Sequence, residues 1–381
     1  MKMLIVVNSL QQGGAERASV RLAESFLTDK HEIVVATWNS NRDFYKLDSN
    51  INRINLGNFF HHSGFFVPML GHRFNRIGQL LNLRQYRKEI KRVQPDVVIC
   101  FEALVGSITA ISLLGTKFPI VVSERVNPNP DVYKPHQIAQ KLRPFIYKRI
   151  ATCSVQTQGF ANWVHSHWKV TAVVTPNHIP NDWLIKRVTS ENEVTRIISI
   201  GRFEPQKGFD TLLNAWSRLG SITTGKTLEI FGSQNNAEYL EFLMEKAPGN
   251  VHFHVAQEDV KAVLDESSVF VSSSRFEGFP NVVLEALARG VPTVASFSSD
   301  IINTLSNVNA LLGYEPEDED KLTAHLRRII EDSSSRKQLS IAANEAISHY
   351  TWEEVGSNWY LAIERAKKQK LKRIRRFKYG R

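Results

Sequence analysis

Cysteine is scarce: the 381 residues contain two, Cys100 and Cys153. Both sit in apolar strand-like runs, so they read as buried reduced thiols, and a disulfide scaffold is excluded. Long hydrophobic runs are missing as well, and none approaches the roughly 18 apolar residues of a spanning helix. The opening stretch Met1 to Ser9 carries a lysine and an apolar run too short for a signal peptide, and reads better as a first strand. A cytoplasmic protein is therefore expected. Acid is absent from Arg365 to Arg381, where ten Lys or Arg stand without one Asp or Glu. The formal charge is +10, yet outside that tail 38 basic residues balance 38 acidic ones, so the whole excess lies in the tail. Leu371, Ile374, Phe377 and Tyr379 give the tail an apolar stripe at roughly helical spacing. Such an end suits an anionic membrane face, nucleic acid, or a solubilising extension.

What is present is an alternation of strand and helix patterns, repeated in two blocks. The first holds candidate strands at Met3 to Asn8, Glu32 to Thr37, Asn52 to Leu56, Val97 to Phe101, Ile120 to Ser123, Ile150 to Ser154 and Ala172 to Val174. Helical patterns, such as Glu16 to Leu27 and His136 to Lys148, separate them. The second block holds Arg196 to Ile200, Thr227 to Gly232, Val251 to Val255, Val269 to Ser272 and Thr293 to Ser296. Strands alternating with helices predict parallel sheets covered on both faces. The length also exceeds what one core usually supports. The expected organisation is α/β, with Rossmann-like domains at residues 1–185 and 186–350 and a final helix and basic tail at 351–381. The polar run Lys186 to Glu193 is the expected linker. Trp352, Trp359 and Tyr360 would form the packing face of the last helix.

Three short motifs carry the chemistry. SSSRFEGFPNVVLEALARG, Ser272 to Gly290, puts seven residues between Glu277 and Glu285 across a strand end, a Gly278–Pro280 break and a helix. Ligands of open α/β sheets bind at the carboxyl ends of strands. SIGRFEPQKGFD, Ser199 to Asp210, offers Arg202 and Lys207 in a loop after a strand. QQGGAER, Gln11 to Arg17, places Gly13 and Gly14 between the first strand and a helix, where unpaired N–H groups meet anions. It lacks the G-x-G-x-x-G pattern of dinucleotide binders.

Together these segments resemble the E-x7-E, GR…KG and glycine-rich elements of the retaining GT-B glycosyltransferases, in particular glycosyltransferase family 4, over most of the chain. The resemblance implies two domains with a cleft between them and a final helix crossing back to the first. It implies that Arg202 and Lys207 offset charge on a departing diphosphate, with Glu277 at the sugar near the reacting carbon. Glu285 would anchor the ribose, and Gly14, Gly278, Phe279, Pro280 and Asn281 would complete the donor site. Gly13 would line the donor and acceptor side. Ser123-Glu124-Arg125 stands where many relatives have a histidine, which makes Glu124 and Arg125 candidate donor or acceptor contacts. A buried structural Glu–Arg pair accounts for them as well.

No metal or other cofactor is expected, because Arg202 and Lys207 would replace a divalent ion. The implied partners are a nucleotide sugar, specifically a UDP-sugar, a lipid-linked glycan acceptor and an anionic membrane surface, with no nucleic acid. The aromatic run Asn58 to Phe66 is followed by Arg73, Arg76, Arg84, Arg87, Lys88, Lys91 and Arg92. It is a candidate membrane-facing surface, at the inner face of the cell membrane, or a packed segment beside a solvated helix. The rival functions are a GT-B sugar-nucleotide epimerase and a non-catalytic sugar- or nucleic-acid-binding protein of the same fold.

Overall fold

A computed structural model describes residues 1–39, 43–56, 73–126, 137–185, 193–234 and 236–379. The chain forms two compact units, Met1–Pro176 with Gly356–Arg381, and Asn177–Val355. The first contains β1 (Lys2–Val7), α1 (Gly14–Thr28), β2 (Glu32–Thr37), β3 (Asn52–Asn55), α2 (Arg73–Val93), β4 (Val97–Phe101), α3 (Ala103–Ser112), β5 (Ile120–Ser123), α4 (Gln137–Arg149), β6 (Thr152–Val155), α5 (Gln158–Trp168) and β7 (Val173–Val174). Its seven strands lie in the order β3-β2-β1-β4-β5-β6-β7, and every pair is parallel. Parallel strands covered on both faces must be apolar on both faces. Accordingly Met3 to Val7 and Val97 to Phe101 have no exposed surface. Cys100 and Cys153 are buried free thiols in that sheet, as expected.

The second unit contains β8 (Arg196–Ile200), α6 (Phe209–Arg218), β9 (Thr227–Gly232), α7 (Ala237–Lys246), β10 (Val251–Val255), α8 (Val260–Asp265), β11 (Val269–Ser272), α9 (Asn281–Ala288), β12 (Thr293–Ser296), α10 (Asp300–Asn307), β13 (Leu312–Tyr314), α11 (Glu319–Glu331) and α12 (Ser333–Ile347). The order is β10-β9-β8-β11-β12-β13, again all parallel. The sequence reading did not include β13, whose three residues are too few to show a period. A Cβ on its central Gly313 would stand 2.2 Å from the Phe297 ring, so this edge needs glycine for close packing.

The units divide at Pro176 and Val355, where the sequence pattern indicated 185 and 350. The reason is local hydrogen bonding. Asn177 Nδ2 donates to Asn281 Oδ1 at 2.6 Å, Ile179 N–H to the Tyr350 carbonyl at 2.7 Å, and Ile185 N–H to the Ala288 carbonyl at 3.2 Å. Residues 177–185 are thereby tied to α9 and its neighbours. Of the expected linker only Glu193 is described, and the aromatic run Asn58 to Phe66 lies outside the described residues.

The last helix, α13 (Trp352–Tyr379), starts in the second unit, where Trp352 packs on His178 with ring centres 5.1 Å apart, and continues in the first. There Trp359 is buried and stacks on Phe101, with ring centres 6.2 Å apart and planes at 22°. Tyr360 donates its hydroxyl to Asp29 at 2.5 Å. These contacts fasten the helix to β4 and α1. Trp359→Ala should destabilise the first unit by about 3–5 kcal/mol, the usual cost of emptying so large a site. Denaturant unfolding followed by circular dichroism checks this, and a loss below about 1 kcal/mol would show that the helix is held elsewhere.

Candidate functional site

In the second sheet the strand order reverses between β8 and β11, which pair in parallel with Val269 opposite Ile197 and Phe270 opposite Ile198. The loops leaving their carboxyl ends are therefore neighbours, at the switch point where open α/β sheets bind ligands. The β8 loop passes through Arg202, a short 3₁₀ turn at Pro205–Lys207, and Gly208. Gly208 has φ +61°, and a Cβ there would stand 2.2 Å from the Ser273 carbonyl oxygen, so only glycine lets the two loops meet. The Ser273 hydroxyl donates to the Lys207 carbonyl at 2.9 Å, Arg275 N–H to the Gln206 carbonyl at 2.8 Å, and Gln206 Nε2 to the Phe276 carbonyl at 2.9 Å.

Lys207 Nζ reaches Glu277 Oε1 at 2.6 Å, and the Ser274 hydroxyl donates to the same oxygen at 2.7 Å. Among the described residues Glu277 Oε2 has no hydrogen-bond donor. Both side chains of the ion pair are mostly shielded, which strengthens the pair and narrows its geometry. Arg202 is more open, and its Nη2 lies 3.1 Å from Gln206 Oε1 and 3.2 Å from Glu204 Oε2. Glu277 N–H donates to the Ser298 carbonyl at 2.9 Å, which fixes the loop on the β12 side. Gly278 follows half-buried, while Phe279 is buried in the core beneath α9. Pro280 caps α9, and Asn281, its first residue, is held by Asn177. Glu285 lies one turn further along, with no exposed surface and already engaged within the protein.

The corresponding reversal in the first sheet lies between β1 and β4. Gly13 caps α1 in extended backbone that any residue adopts, and Gly14 is the first helical residue. A Cβ on Gly13 would meet the folded-back Glu16 carboxylate at 2.1 Å, so glycine is what leaves room for that carboxylate. Glu124 is buried just past β5, where it accepts from the Tyr147 hydroxyl and faces Arg143 Nε at 3.6 Å. Arg125 is buried too, with its guanidinium 4.3 Å from the centre of the Phe101 ring and 5.5 Å from that of Trp359. Burial lowers its pKa to about 9.

Residues 12–183 match the family model described as Glycosyltransferase Family 4, and residues 182–346 the one described as Glycosyl transferases group 1. The chain belongs to the family 4 glycosyltransferases. It is 25% identical over 373 residues to the Campylobacter jejuni GalNAc-alpha-(1->4)-GalNAc-alpha-(1->3)-diNAcBac-PP-undecaprenol alpha-1,4-N-acetyl-D-galactosaminyltransferase, covering 96% of this chain and 99% of that one. In structure it is similar to sucrose-phosphate synthase from Thermosynechococcus elongatus, with TM-score 0.78, 15% identity, and 96% and 98% of the two chains covered. It is also similar to HepE of Anabaena in complex with UDP and glucose, with TM-score 0.75, 14% identity, and 96% and 99% covered. The fold is GT-B, as the motifs implied.

This glycosyltransferase thus brings Arg202, Lys207, Glu277, Gly278, Phe279, Pro280, Asn281 and Glu285 to one end of its second sheet. In the first unit Glu124 finds its cation in Arg143, on α4, while Arg125 lies on aromatic rings. Sequence spacing does not reveal that exchange, because α4 reaches β5 only through the tertiary fold. The acidic triplet Asp318-Glu319-Asp320 has the spelling of an Asp-x-Asp metal motif but serves as a helix start. Asp318 caps α11 by accepting from Lys321 N–H at 2.9 Å, and Glu319 and Asp320 pair with Arg218. Among the described residues no group of three or more His, Cys, Asp or Glu is arranged to hold a metal.

Sequence reasoning missed Glu102. It follows β4 directly at the switch point, and its position after an apolar strand was the available signal. Its backbone has φ 72° and ψ 149°, a conformation that costs a non-glycine residue roughly 1–3 kcal/mol. Two hydrogen bonds maintain it, Glu102 N–H to the Ser123 carbonyl and Gly106 N–H to the Glu102 carbonyl, both 3.0 Å. Burial, then the carboxylates of Glu16 and Glu124, raise its pKa to about 7 from an ordinary 4.5. The folded state therefore holds this proton more tightly than the unfolded chain. Stability should fall as pH rises from about 4.5 to about 7, with the full penalty present above 7. Glu102→Gln should remove that slope, leaving the variant equal to wild type near pH 4 and more stable by on the order of 3 kcal/mol at pH 8. Parallel pH–stability curves would refute it.

Proposed function

We propose that this enzyme transfers a hexosyl or N-acetylhexosaminyl group from a UDP-sugar to a lipid-linked glycan in cell-surface polysaccharide assembly, with retention at the anomeric carbon. The observation that carries the reading is the Lys207–Glu277 pair beside Arg202, in a chain that matches its Campylobacter relative along almost the whole length of both. That relative's name specifies an undecaprenyl-diphosphate-linked substrate and an N-acetylgalactosaminyl donor group.

Each residue has a distinct task in this reading. Lys207 and Arg202 offset the negative charge that grows on the diphosphate as the bond from C1 to phosphate oxygen breaks. Cations already fixed in place need no reorganisation at that moment. Glu277 Oε1 holds Lys207, and Oε2 accepts from a sugar hydroxyl near C1. The acceptor oxygen bonds to C1 on the face the phosphate leaves, and its proton passes to the departing phosphate oxygen, giving UDP and the lengthened glycan. This route needs neither a protein nucleophile nor a divalent ion. Glu285 accepts from the ribose hydroxyls after exchanging its present partner for them. Gly278, Asn281 and the first turn of α9 line the donor, and Gly13, Gly14, Glu124 and Arg125 belong to the acceptor domain. The basic tail rests on anionic lipid at the inner membrane face. Its support is that α13 continues as helix to Tyr379 with Leu371 56% exposed. Among the described residues no helix is long and apolar enough to cross a membrane.

UDP release should be measured with a panel of UDP-sugars, with and without a lipid extract of the host. Release from one donor that rises with the extract is expected. UDP binding without release from any donor would overturn the assignment of donor or acceptor. Glu277→Gln and Lys207→Met should each lower turnover roughly 10²-fold, the scale for loss of one preorganised charge contact. Glu285→Ala should act mainly on UDP affinity. Full activity in all three would refute the site.

A further inference from the structure

Arg275 stands two residues before Glu277, on the loop that leaves β11. Its guanidinium grips both ends of the segment that carries Lys207. Nη1 donates to the Pro205 carbonyl, two residues before the lysine. Nη1 and Nη2 also donate to the two carboxylate oxygens of Asp210, three residues after it, at 3.0 and 2.8 Å. Nε donates to Glu317 Oε1, between β13 and α11, at 2.7 Å. The guanidinium thus joins the same two loops that the Lys207–Glu277 pair joins. Asp210 is fixed in turn by Tyr239 of α7, whose hydroxyl donates to its Oδ1 at 2.8 Å. Burial works against the Asp210 charge, but the bonds from Arg275 and Tyr239 outweigh it and hold the carboxyl below its ordinary pKa. The Pro205 carbonyl also accepts from Gly208 N–H at 3.1 Å, and Lys207 N–H donates to the Glu204 carbonyl at 2.9 Å. The grip on Pro205 therefore bears on the short turn that aims the lysine. Arg275 and Asp210 are partly open to water, where an ion pair adds little to stability. A bidentate guanidinium still narrows geometry, which the point charge of a lysine does not.

We propose that Arg275 is a positioning residue for the transfer reaction: by clamping Pro205 and Asp210 it sets where the Lys207 ammonium stands, and it acts on the rate through Lys207 without touching the substrate. The proposal rests on the donor role assigned to Lys207 above. A cation that must offset charge at one point of a reaction loses its effect when it is displaced. A misplacement of about 1 Å can cost on the order of 10²-fold in rate. Binding of UDP in the ground state depends on many other contacts and is far less sensitive to that displacement.

Full-length wild type, Arg275→Met, Lys207→Met and the double variant would be compared by UDP release from the UDP-sugar selected in the panel above, with host lipid extract, and by UDP titration. Arg275→Met should lower kcat by roughly tenfold or more and change the Kd for UDP by less than about twofold. In the Lys207→Met background the same substitution should cost less than about twofold, because its route to the reaction is already gone. A structural role independent of Lys207 would multiply the two losses. Arg275→Met should melt within about 4 °C of wild type, and its Lys207 and Gly208 amides should exchange hydrogen faster. Asp210→Asn, whose amide oxygen can still accept from Tyr239, should lower kcat in the same direction, and it carries the test if Arg275→Met does not fold. Multiplied losses, unchanged exchange, or unchanged kcat in both Arg275→Met and Asp210→Asn would overturn the role of Arg275 while leaving the donor reading intact. Full activity in Lys207→Met would refute the donor reading itself, and this role with it.

Discussion

The side-by-side parallel pairing of β8 and β11 is the constraint on which the candidate site of this enzyme depends. Residues 70 positions apart, Lys207 and Glu277, meet at 2.6 Å only because the strands before them are neighbours and point the same way. The pairing also forces two loops into contact, and that contact makes Gly208 irreplaceable. Around it the loops are riveted by charge. Arg275 binds Asp210 through both guanidinium nitrogens at 3.0 and 2.8 Å and reaches Glu317 at 2.7 Å. Bidentate arginine pairs hold geometry as well as contribute energy. The Lys207–Glu277 pair is thereby presented on a rigid support, which is what a charge-stabilising site needs.

The first unit repeats the topology with the opposite electrostatics. At its own strand reversal stand Glu16, Glu102 and Glu124, and their mutual repulsion together with burial holds the Glu102 proton. Glu124 is compensated from α4 by Arg143 and Tyr147. Arg125 uses its flat face on Phe101 and Trp359, so the C-terminal helix takes part in placing it. One fold, used twice, thus gathers cations at the strand reversal of its second sheet and carboxylates at that of its first.

Much of this was legible in the chain. The near-continuous apolar strands announced parallel sheets, because strands covered on both faces cannot alternate. The Gly278–Pro280 break marked where the chain must turn at a strand end. What was not legible arose where short range says little. β13 has too few residues for a period. The unit boundary at Pro176 depends on hydrogen bonds from Asn177 and Ile179 to residues more than 100 positions away. Glu102 became distinctive through its backbone angle and its acidic neighbours, neither of which a sequence displays.

The sequence by itself determined the class of fold, the order of the elements, the loops that follow β8 and β11 and the accumulation of positive charge at the end of the chain. These follow from periodicity, turn chemistry and composition, which are local. The tertiary structure alone decided which charges pair, which are buried and which are left to repel. Glu124 was matched to Arg143 and Lys207 to Glu277. Electrostatic energy depends on distance and dielectric, and both are set by how distant segments pack.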